Sequence, residues 1–309
     1  MDDNSGSAGV ASVTGESGGR KTKTWLITGA SRGFGREFAR AALGRGDLVA
    51  ATARDVSSLR DLGEEHPGLL ALPLDVTDAD AVRDRVAEAE EHFGRLDVVV
   101  NNAGYGHFAA VEEVTDAELR DQLETNLFGA HRVVRAVLPG MRERGSGHIV
   151  QVSSIGGVMA VPNMGAYHAS KWALEALSES LAAEVARFGV HVTLVEPGGY
   201  DTDWAGSSAR RSDPLPVYDP MREEMAARRS VSVPGDPAAA ARALLEVVDA
   251  EQPPLRVLFG ALFGVPTPEI VRGIYDRRLK EWAEWESLAV RAYGDPGNEA
   301  GHAVGGRGR

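Results

Sequence analysis

Short apolar runs recur along this chain, and each is followed by a stretch with apolar positions three and four apart. The first run, Thr24-Trp25-Leu26-Ile27-Thr28, ends in a glycine-rich turn, and a helical pattern follows from Gly35 to Leu43. Further runs at Leu48–Ala53, Leu69–Leu74, Val98–Val100, His148–Val152 and His191–Val195 predict strands. Helical spacing between them predicts helices near Val56–Glu65, Asp80–Phe93, Asp116–Arg144 and Gly165–Phe188. A strand such as Val98-Val99-Val100, apolar at every position, belongs in a parallel sheet covered on both sides. Regular strand–helix alternation predicts an α/β fold: a single Rossmann-type, doubly wound parallel sheet with helices on both faces.

The alternation stops after Pro197. Residues 200–236 carry several prolines, the pairs Arg210-Arg211 and Arg228-Arg229, and no clean period. Such a segment inside a compact domain reads as a substrate lid or as a disordered insertion. Pro237–Ala250 predicts another helix and Leu255–Leu258 a final strand. Residues 266–293 predict a C-terminal helical extension, with Ile270, Ile274, Trp282, Trp285 and Leu288 expected mostly to cover core. Residues 1–22 and 294–309 read as disordered tails, leaving 23–293 as one catalytic domain.

Composition narrows the choice of partners. The chain has 309 residues, 43% of them hydrophobic, which supports a sizeable core. A net charge of −12 argues against nucleic acid or an anionic membrane as partner. There is no cysteine, so thiolate metal sites and cysteine nucleophiles are excluded. No apolar run approaches the ~20 residues of a membrane span, and the N-terminus lacks a signal-peptide core. A cytoplasmic location is expected. His107, His131, His148, His168 and His191 are scattered and give no metal-ligand spacing, so no metal is expected. His107, just beyond Gly104, is a minor candidate for reaching substrate.

The chemistry concentrates in Tyr167-His168-Ala169-Ser170-Lys171. The chain has only four lysines, so a tyrosine with a lysine four residues on is rarely accidental. On a helix the two share a face. Charges ~4 Å apart at an effective dielectric of ~20 attract by roughly 4 kcal/mol. That is enough to bring a phenol of ordinary pKa ~10 toward neutrality, where it serves as a general acid or base. Taken alone, the pair reads equally well as a surface helix pair.

The turn Thr28-Gly29-Ala30-Ser31-Arg32-Gly33-Phe34-Gly35 joins the first strand to the first helix. A helix N-terminus offers free N–H groups to a pyrophosphate, and the glycines allow close backbone approach. Gly29, Ser31, Arg32, Gly33, Phe34 and Gly35 are therefore candidate cofactor contacts. The second strand ends Ala53-Arg54 rather than in the carboxylate that binds an unphosphorylated ribose. Arg32 and Arg54 together suit a 2′-phosphate, favouring NADP(H). Asp55 leaves NAD open, and both arginines also read as ordinary surface residues.

The spacing T-G-x-x-x-G-x-G, together with Y-x-x-x-K, resembles the short-chain dehydrogenase/reductase family from about Thr24 to Leu258. Asp75-Val76, Asn101-Asn102-Ala103-Gly104, Asn126, Ser154 and Pro197-Gly198 with Thr202 match further family motifs in order. The C-terminal part is similar to a bacterial NADP-preferring subgroup. The resemblance implies that Tyr167 donates the proton, that Lys171 lowers its pKa and holds the nicotinamide ribose, and that Ser154 orients the carbonyl. It implies that Asn126 holds a water linking Lys171 to solvent. Asp75, Val76, Asn102, Ala103, Gly104, Pro197, Gly198 and Thr202 become cofactor contacts by the same route. It also implies a homodimer or homotetramer.

Gly156, Met159 and Met164, with Trp204 from the lid, are expected to wall an apolar substrate site. The expected reaction is hydride transfer between NADP(H) and a hydrophobic ketone, aldehyde or secondary alcohol. A redox-neutral epimerase or isomerase and a non-catalytic cofactor-binding protein are the alternatives.

Overall fold

The computed structural model describes residues 21–230 and 233–294. The two expected tails lie almost wholly outside these residues. Seven parallel strands form the central sheet: β1 (Thr24–Ile27), β2 (Leu48–Ala53), β3 (Leu69–Pro73), β4 (Val98–Asn101), β6 (Gly147–Val152), β7 (Val190–Pro197) and β9 (Arg256–Phe259). Their order is β3-β2-β1-β4-β6-β7-β9. The order reverses between β1 and β4, opening a crevice there at the carboxyl edge. β5 (His107–Phe108) stands outside this sheet and pairs with β8 (Arg210–Arg211).

Strand alternation sorts the core into two layers. Trp25, Ile27, Val49 and Ala51 face α1 (Gly33–Gly44) and α8 (Pro237–Asp249), meeting Phe38, Ala42, Leu244 and Val248. Leu26, Ala50 and Val99 face the other way, onto the layer built from α3 (Ala79–Phe93), α5 (Ala130–Arg144) and α6 (Gly165–Val185). In α1 the buried positions Gly35, Phe38, Ala39, Ala42 and Leu43 follow a helical stripe. Trp25 is fully buried, and its indole N–H donates to Asp47 at 2.8 Å. The predicted first seven strands and their connecting helices stand within a few residues of their expected bounds.

Three expectations change. The single helix expected over Asp116–Arg144 is α4 (Asp116–Leu123), a π-helical segment (Glu124–Gly129) and α5. The apolar period runs through the junction, so no stop signal marks it. The segment 200–236 is not irregular throughout. It contains β8 and α7 (Asp219–Ser230), which connects to the body through the buried Glu113. Glu113 accepts from the Leu215 N–H and from Arg222, each at 2.7 Å. The charged composition of α7 hid its helical character. Finally, the C-terminal extension breaks at Trp285 into α9 (Thr267–Glu284) and α10 (Glu286–Tyr293). Trp282, Trp285 and Leu288 do not cover core; all three are exposed. Ile270 and Ile274, nearer the body, are half-buried. A β-hairpin, β10 (Ala261–Leu262) with β11 (Val265–Pro266), leads into this extension.

One core histidine makes the fold acid-sensitive. His148 in β6 is buried, and its ring lies 2.9 Å from the Thr193 hydroxyl. Burial drives its pKa down to about 3, helped by His191 and Lys23. The folded state thus refuses a proton that the unfolded chain accepts below pH ~6.5. Stability contributed this way is complete above pH ~6.5 and falls as pH drops toward 3. We expect His148→Gln to remove about 2 kcal/mol of the stability difference between pH 7 and pH 5. Urea unfolding of both proteins at the two pH values measures it, and an unchanged difference contradicts it.

Candidate active site

Two loops meet at the crevice between β1 and β4. The Asn102 side-chain amide donates to the carbonyls of Thr28 and Gly29, both at 3.0 Å. The Thr28 hydroxyl accepts from the backbone N–H groups of Asn102 and Ala103. Gly29 has φ +67°, and a Cβ there would lie 2.9 Å from the Ala103 Cα. A Cβ on Gly35 would strike the Asn102 amide and the Gly29 carbonyl. Both glycines are therefore required by the packing of one turn against the other. No side chain caps the start of α1, and no acidic residue stands in its first turn. Its N–H groups and partial positive charge face the crevice, which fits a pyrophosphate.

A cavity of about 600 Å³ runs from this turn to the catalytic helix α6. Gly29, Ser31, Arg32, Gly33 and Phe34 line one end, with Arg54, Asp75 and Val76. Asn102, Ala103, Gly104, Pro197, Gly198 and Thr202 line the middle. Ser154, Tyr167 and Lys171 lie at the far end with Gly156, Met159, Met164 and Trp204. Of the expected site residues only Gly35 and Asn126 do not line the cavity. Gly35 packs beneath the turn, and Asn126 stands behind Gly104.

Tyr167 is buried, edge-on to the Trp204 ring at 5.0 Å between centroids, and Trp204 packs likewise on Phe108 at 5.2 Å. The Tyr167 hydroxyl faces Ser154, whose Oγ accepts from the Gly156 N–H at 3.0 Å. The Ser153 hydroxyl turns away toward Glu175. Lys171 is also buried and donates from Nζ to the Val152 carbonyl at 2.8 Å. Nζ lies 5.9 Å from the Tyr167 ring centroid.

The expected depression of the Tyr167 pKa by Lys171 is not present. Burial pushes the phenol up to about 12, with the Ser154 hydroxyl opposing. Burial likewise brings Lys171 down to about 8, with Glu175 opposing. Desolvation of both groups outweighs their mutual attraction, because the ammonium is directed at the Val152 carbonyl.

Asn126 stands between α6 and the loop that follows Gly104. Its amide donates to the Tyr105 carbonyl and the Ser170 hydroxyl, both at 3.0 Å, and its Oδ1 accepts from the Tyr105 N–H. Both amide hydrogens are taken by protein atoms, so the side chain braces α6 against the Tyr105 loop. Arg32 donates to Asp203 at 2.8 Å and to Ser207 at 3.2 Å, tying the glycine turn to the 200–236 segment. Arg54 is exposed at the rim. Asp55 accepts from the Ser57 backbone at 2.9 Å and from its hydroxyl at 2.8 Å, capping its own turn. His107 is buried against Ser212 and does not line the cavity.

Two groups escaped the sequence reading. His168 is buried and bridges Gly156 and Val161: its Nδ1 lies 2.9 Å from the Gly156 carbonyl, and its Nε2 accepts from the Val161 N–H at 3.1 Å. It thereby shapes the loop that walls the far end of the cavity. Behind Lys171, Glu175 and Glu196 are buried around Arg256, whose Nε is 3.1 Å and 3.5 Å from them. Burial pushes Glu196 up to about 8, and the Glu175 carboxylate adds to this while Arg256 opposes. Two signals in the sequence pointed here. Glu175 falls one helical turn after Lys171, and Glu196 ends an apolar strand.

The short chain dehydrogenase family model matches residues 23–213. The chain belongs to this family. This short-chain dehydrogenase is 45% identical over 246 residues to the oxidoreductase BOA17 of Botryotinia fuckeliana, covering 77% of this chain and 89% of that protein. Its fold superposes on a short-chain dehydrogenase from Streptomyces avermitilis with a TM-score of 0.80 and 42% identity, covering 88% of this chain and 100% of the other. An alcohol dehydrogenase from the archaeon Thermococcus sibiricus, solved with 5-hydroxy-NADP, matches with a TM-score of 0.68 and 28% identity. That match covers 80% of this chain and 99% of the other. This family membership makes the chain an oxidoreductase that binds a nicotinamide cofactor and acts on a small molecule. Among the described residues of this short-chain dehydrogenase, no helix is long and apolar enough to cross a membrane. No cluster of three or more histidine or carboxylate ligands suits a metal ion among them either.

The His168 bridge yields a prediction. His168→Ala leaves a buried carbonyl and a buried N–H unpaired and should cost about 2–3 kcal/mol. It should also raise KM for the small-molecule substrate several-fold, because the 155–164 loop loses its tie. His168→Gln, which keeps one bond, should lose less on both counts. Urea unfolding and steady-state kinetics read the two effects, and unchanged values of both would overturn the bridging role.

Proposed function

We infer that this protein is an NADP(H)-dependent carbonyl reductase or alcohol dehydrogenase acting on a hydrophobic substrate. The observation that carries this reading is the buried Tyr167 phenol beside Ser154, in the cavity that the glycine turn also lines. A phenol held near pKa 12 stays protonated at neutral pH. That is the form needed to donate a proton to a carbonyl oxygen.

A nicotinamide bound in this cavity would supply hydride to a carbonyl carbon, or take it from the alcohol carbon in the reverse direction. Ser154 and Tyr167 hydrogen-bond the carbonyl oxygen, stabilise the negative charge that builds there, and Tyr167 delivers the proton. Lys171 holds the nicotinamide ribose and, once redirected toward it, supports the developing tyrosinate. Asn126 keeps α6 in place through Ser170 and Tyr105. The start of α1 receives the pyrophosphate, with Asp75 and Val76 beside the adenine. Arg54, with Arg32, receives the 2′-phosphate. Asp55 is engaged by Ser57 within its own turn. Met159, Val161, Met164, Trp204 and Met225 give the substrate end an apolar lining, which suits a hydrophobic ketone or aldehyde. The 200–236 segment serves as the lid, hinged on Glu113.

Two substitutions test this reading. Tyr167→Phe should reduce turnover by at least ~10³-fold, toward the upper range for a general acid, with NADPH affinity nearly unchanged. NADPH oxidation against a panel of hydrophobic ketones and aldehydes measures it, and full turnover in the variant would refute the assignment. Arg54→Ala should weaken NADPH by about 10-fold or more while barely changing NADH, as expected for loss of one charge-assisted contact of ~1.5–3 kcal/mol. Equal loss of both cofactors in fluorescence titration contradicts the phosphate role.

A further inference from the structure

We propose that the C-terminal arm, α9 and α10, is a docking surface for a second copy of this chain, paired antiparallel across a two-fold axis. The base of the arm is anchored. Thr267 is buried and donates to the Gly260 carbonyl at 3.0 Å, and the Arg278 guanidinium stacks over the Trp172 ring at 5.0 Å. Beyond Arg278 nothing covers it: every residue from Leu279 to Gly294 is exposed. Leu279, Trp282, Trp285 and Leu288 are 58, 62, 65 and 44% exposed, and Val290 and Tyr293 are 69 and 81% exposed. A helical segment this short is marginal in water without a partner. A cluster of this kind, rich in tryptophan and tyrosine, has the composition of an interface centre.

Area and charge identify the occupant. Aromatic side chains bury about 150–250 Å² each, so these six supply on the order of 700 Å² per copy. That approaches the ~800 Å² per partner of a standard stable interface. The chain as a whole carries a charge of −12, so two copies repel unless they meet at a neutral surface. Residues 267–294 form such a surface, with five cations and five anions. The charges are also segregated along the arm. Arg272, Arg277, Arg278 and Lys280, less Glu269 and Asp276, give the first part +2; Glu281, Glu284 and Glu286, less Arg291, give the second part −2. A two-fold perpendicular to the arm runs the helices in opposite directions, whereas one parallel to it would set like charge against like. The antiparallel arrangement therefore sets the basic part of each arm beside the acidic part of the other. A neutral arm gains no electrostatic attraction to anionic lipid.

Sedimentation velocity on the full chain at micromolar concentration tests the proposal. The wild type should sediment as at least a dimer of the 32.8 kDa chain. Trp282→Ala with Trp285→Ala should weaken one association step at least 100-fold, without changing thermal unfolding or NADPH binding. Reversing the acidic part (Glu281→Lys, Glu284→Lys) or the basic part (Arg277→Glu, Lys280→Glu) should each weaken association, and mixing the two variants should restore it. A monomeric wild type overturns the proposal, including one that sediments with phosphatidylcholine vesicles. Association that survives the tryptophan substitutions, or a mixture that stays dissociated, overturns it as well.

Discussion

The site depends on one small contact: the Asn102 amide held between the carbonyls of Thr28 and Gly29. It fixes the loop after β4 against the loop after β1 at the point where strand order reverses. Because Gly29 and Gly35 carry no Cβ, the loops approach closely enough for those bonds to form. The same contact positions the start of α1 and keeps it open to the crevice. The cavity, its glycine-lined end and the adjoining Gly104 all take their places from this meeting of two turns.

The catalytic helix is positioned by a second set of ties. Asn126 reaches Ser170 from the π-helical segment, Lys171 reaches the Val152 carbonyl, and His168 reaches the loop after β6. These bonds hold Tyr167 in an enclosed pocket between Ser154 and Trp204. Enclosure controls its acidity more strongly than the nearby ammonium does. A buried phenol is costly to ionise, so the chain alone keeps it as a proton donor. The groups behind Lys171 contribute to the same balance, since Glu175 partly offsets the desolvation of the lysine.

The outer segments are attached differently from the core. The 200–236 segment is held by charged contacts, Glu113 with Arg222 and Arg32 with Asp203, by the β5–β8 pair, and by Trp204 packed on Phe108 and Tyr167. Such attachments are compatible with opening and closing over a cavity. The C-terminal arm is attached only at its base and leaves its aromatic residues to solvent. Its sequence has the apolar content of a packed helix, but the rest of the described chain offers nothing to pack it against.

Sequence alone determined the sheet, because strands buried on both faces must be apolar throughout and their crossover helices must show an apolar stripe. It also pointed to the glycine turn and the Tyr167–Lys171 pair, because both are local geometry, while Asp75, Asn102, Ser154 and Pro197 were reached only through the family resemblance. Only the tertiary structure decided the acidity of Tyr167, since burial is set by Phe108, Trp204 and the loop after β6, which come from distant parts of the chain. It alone decided that Asn126 braces α6, that His168 ties a loop, and that Glu175 and Glu196 meet at Arg256. It also decided that Trp282 and Trp285 face solvent. Helical spacing shows that a residue is on an apolar stripe, but not whether another surface lies opposite it.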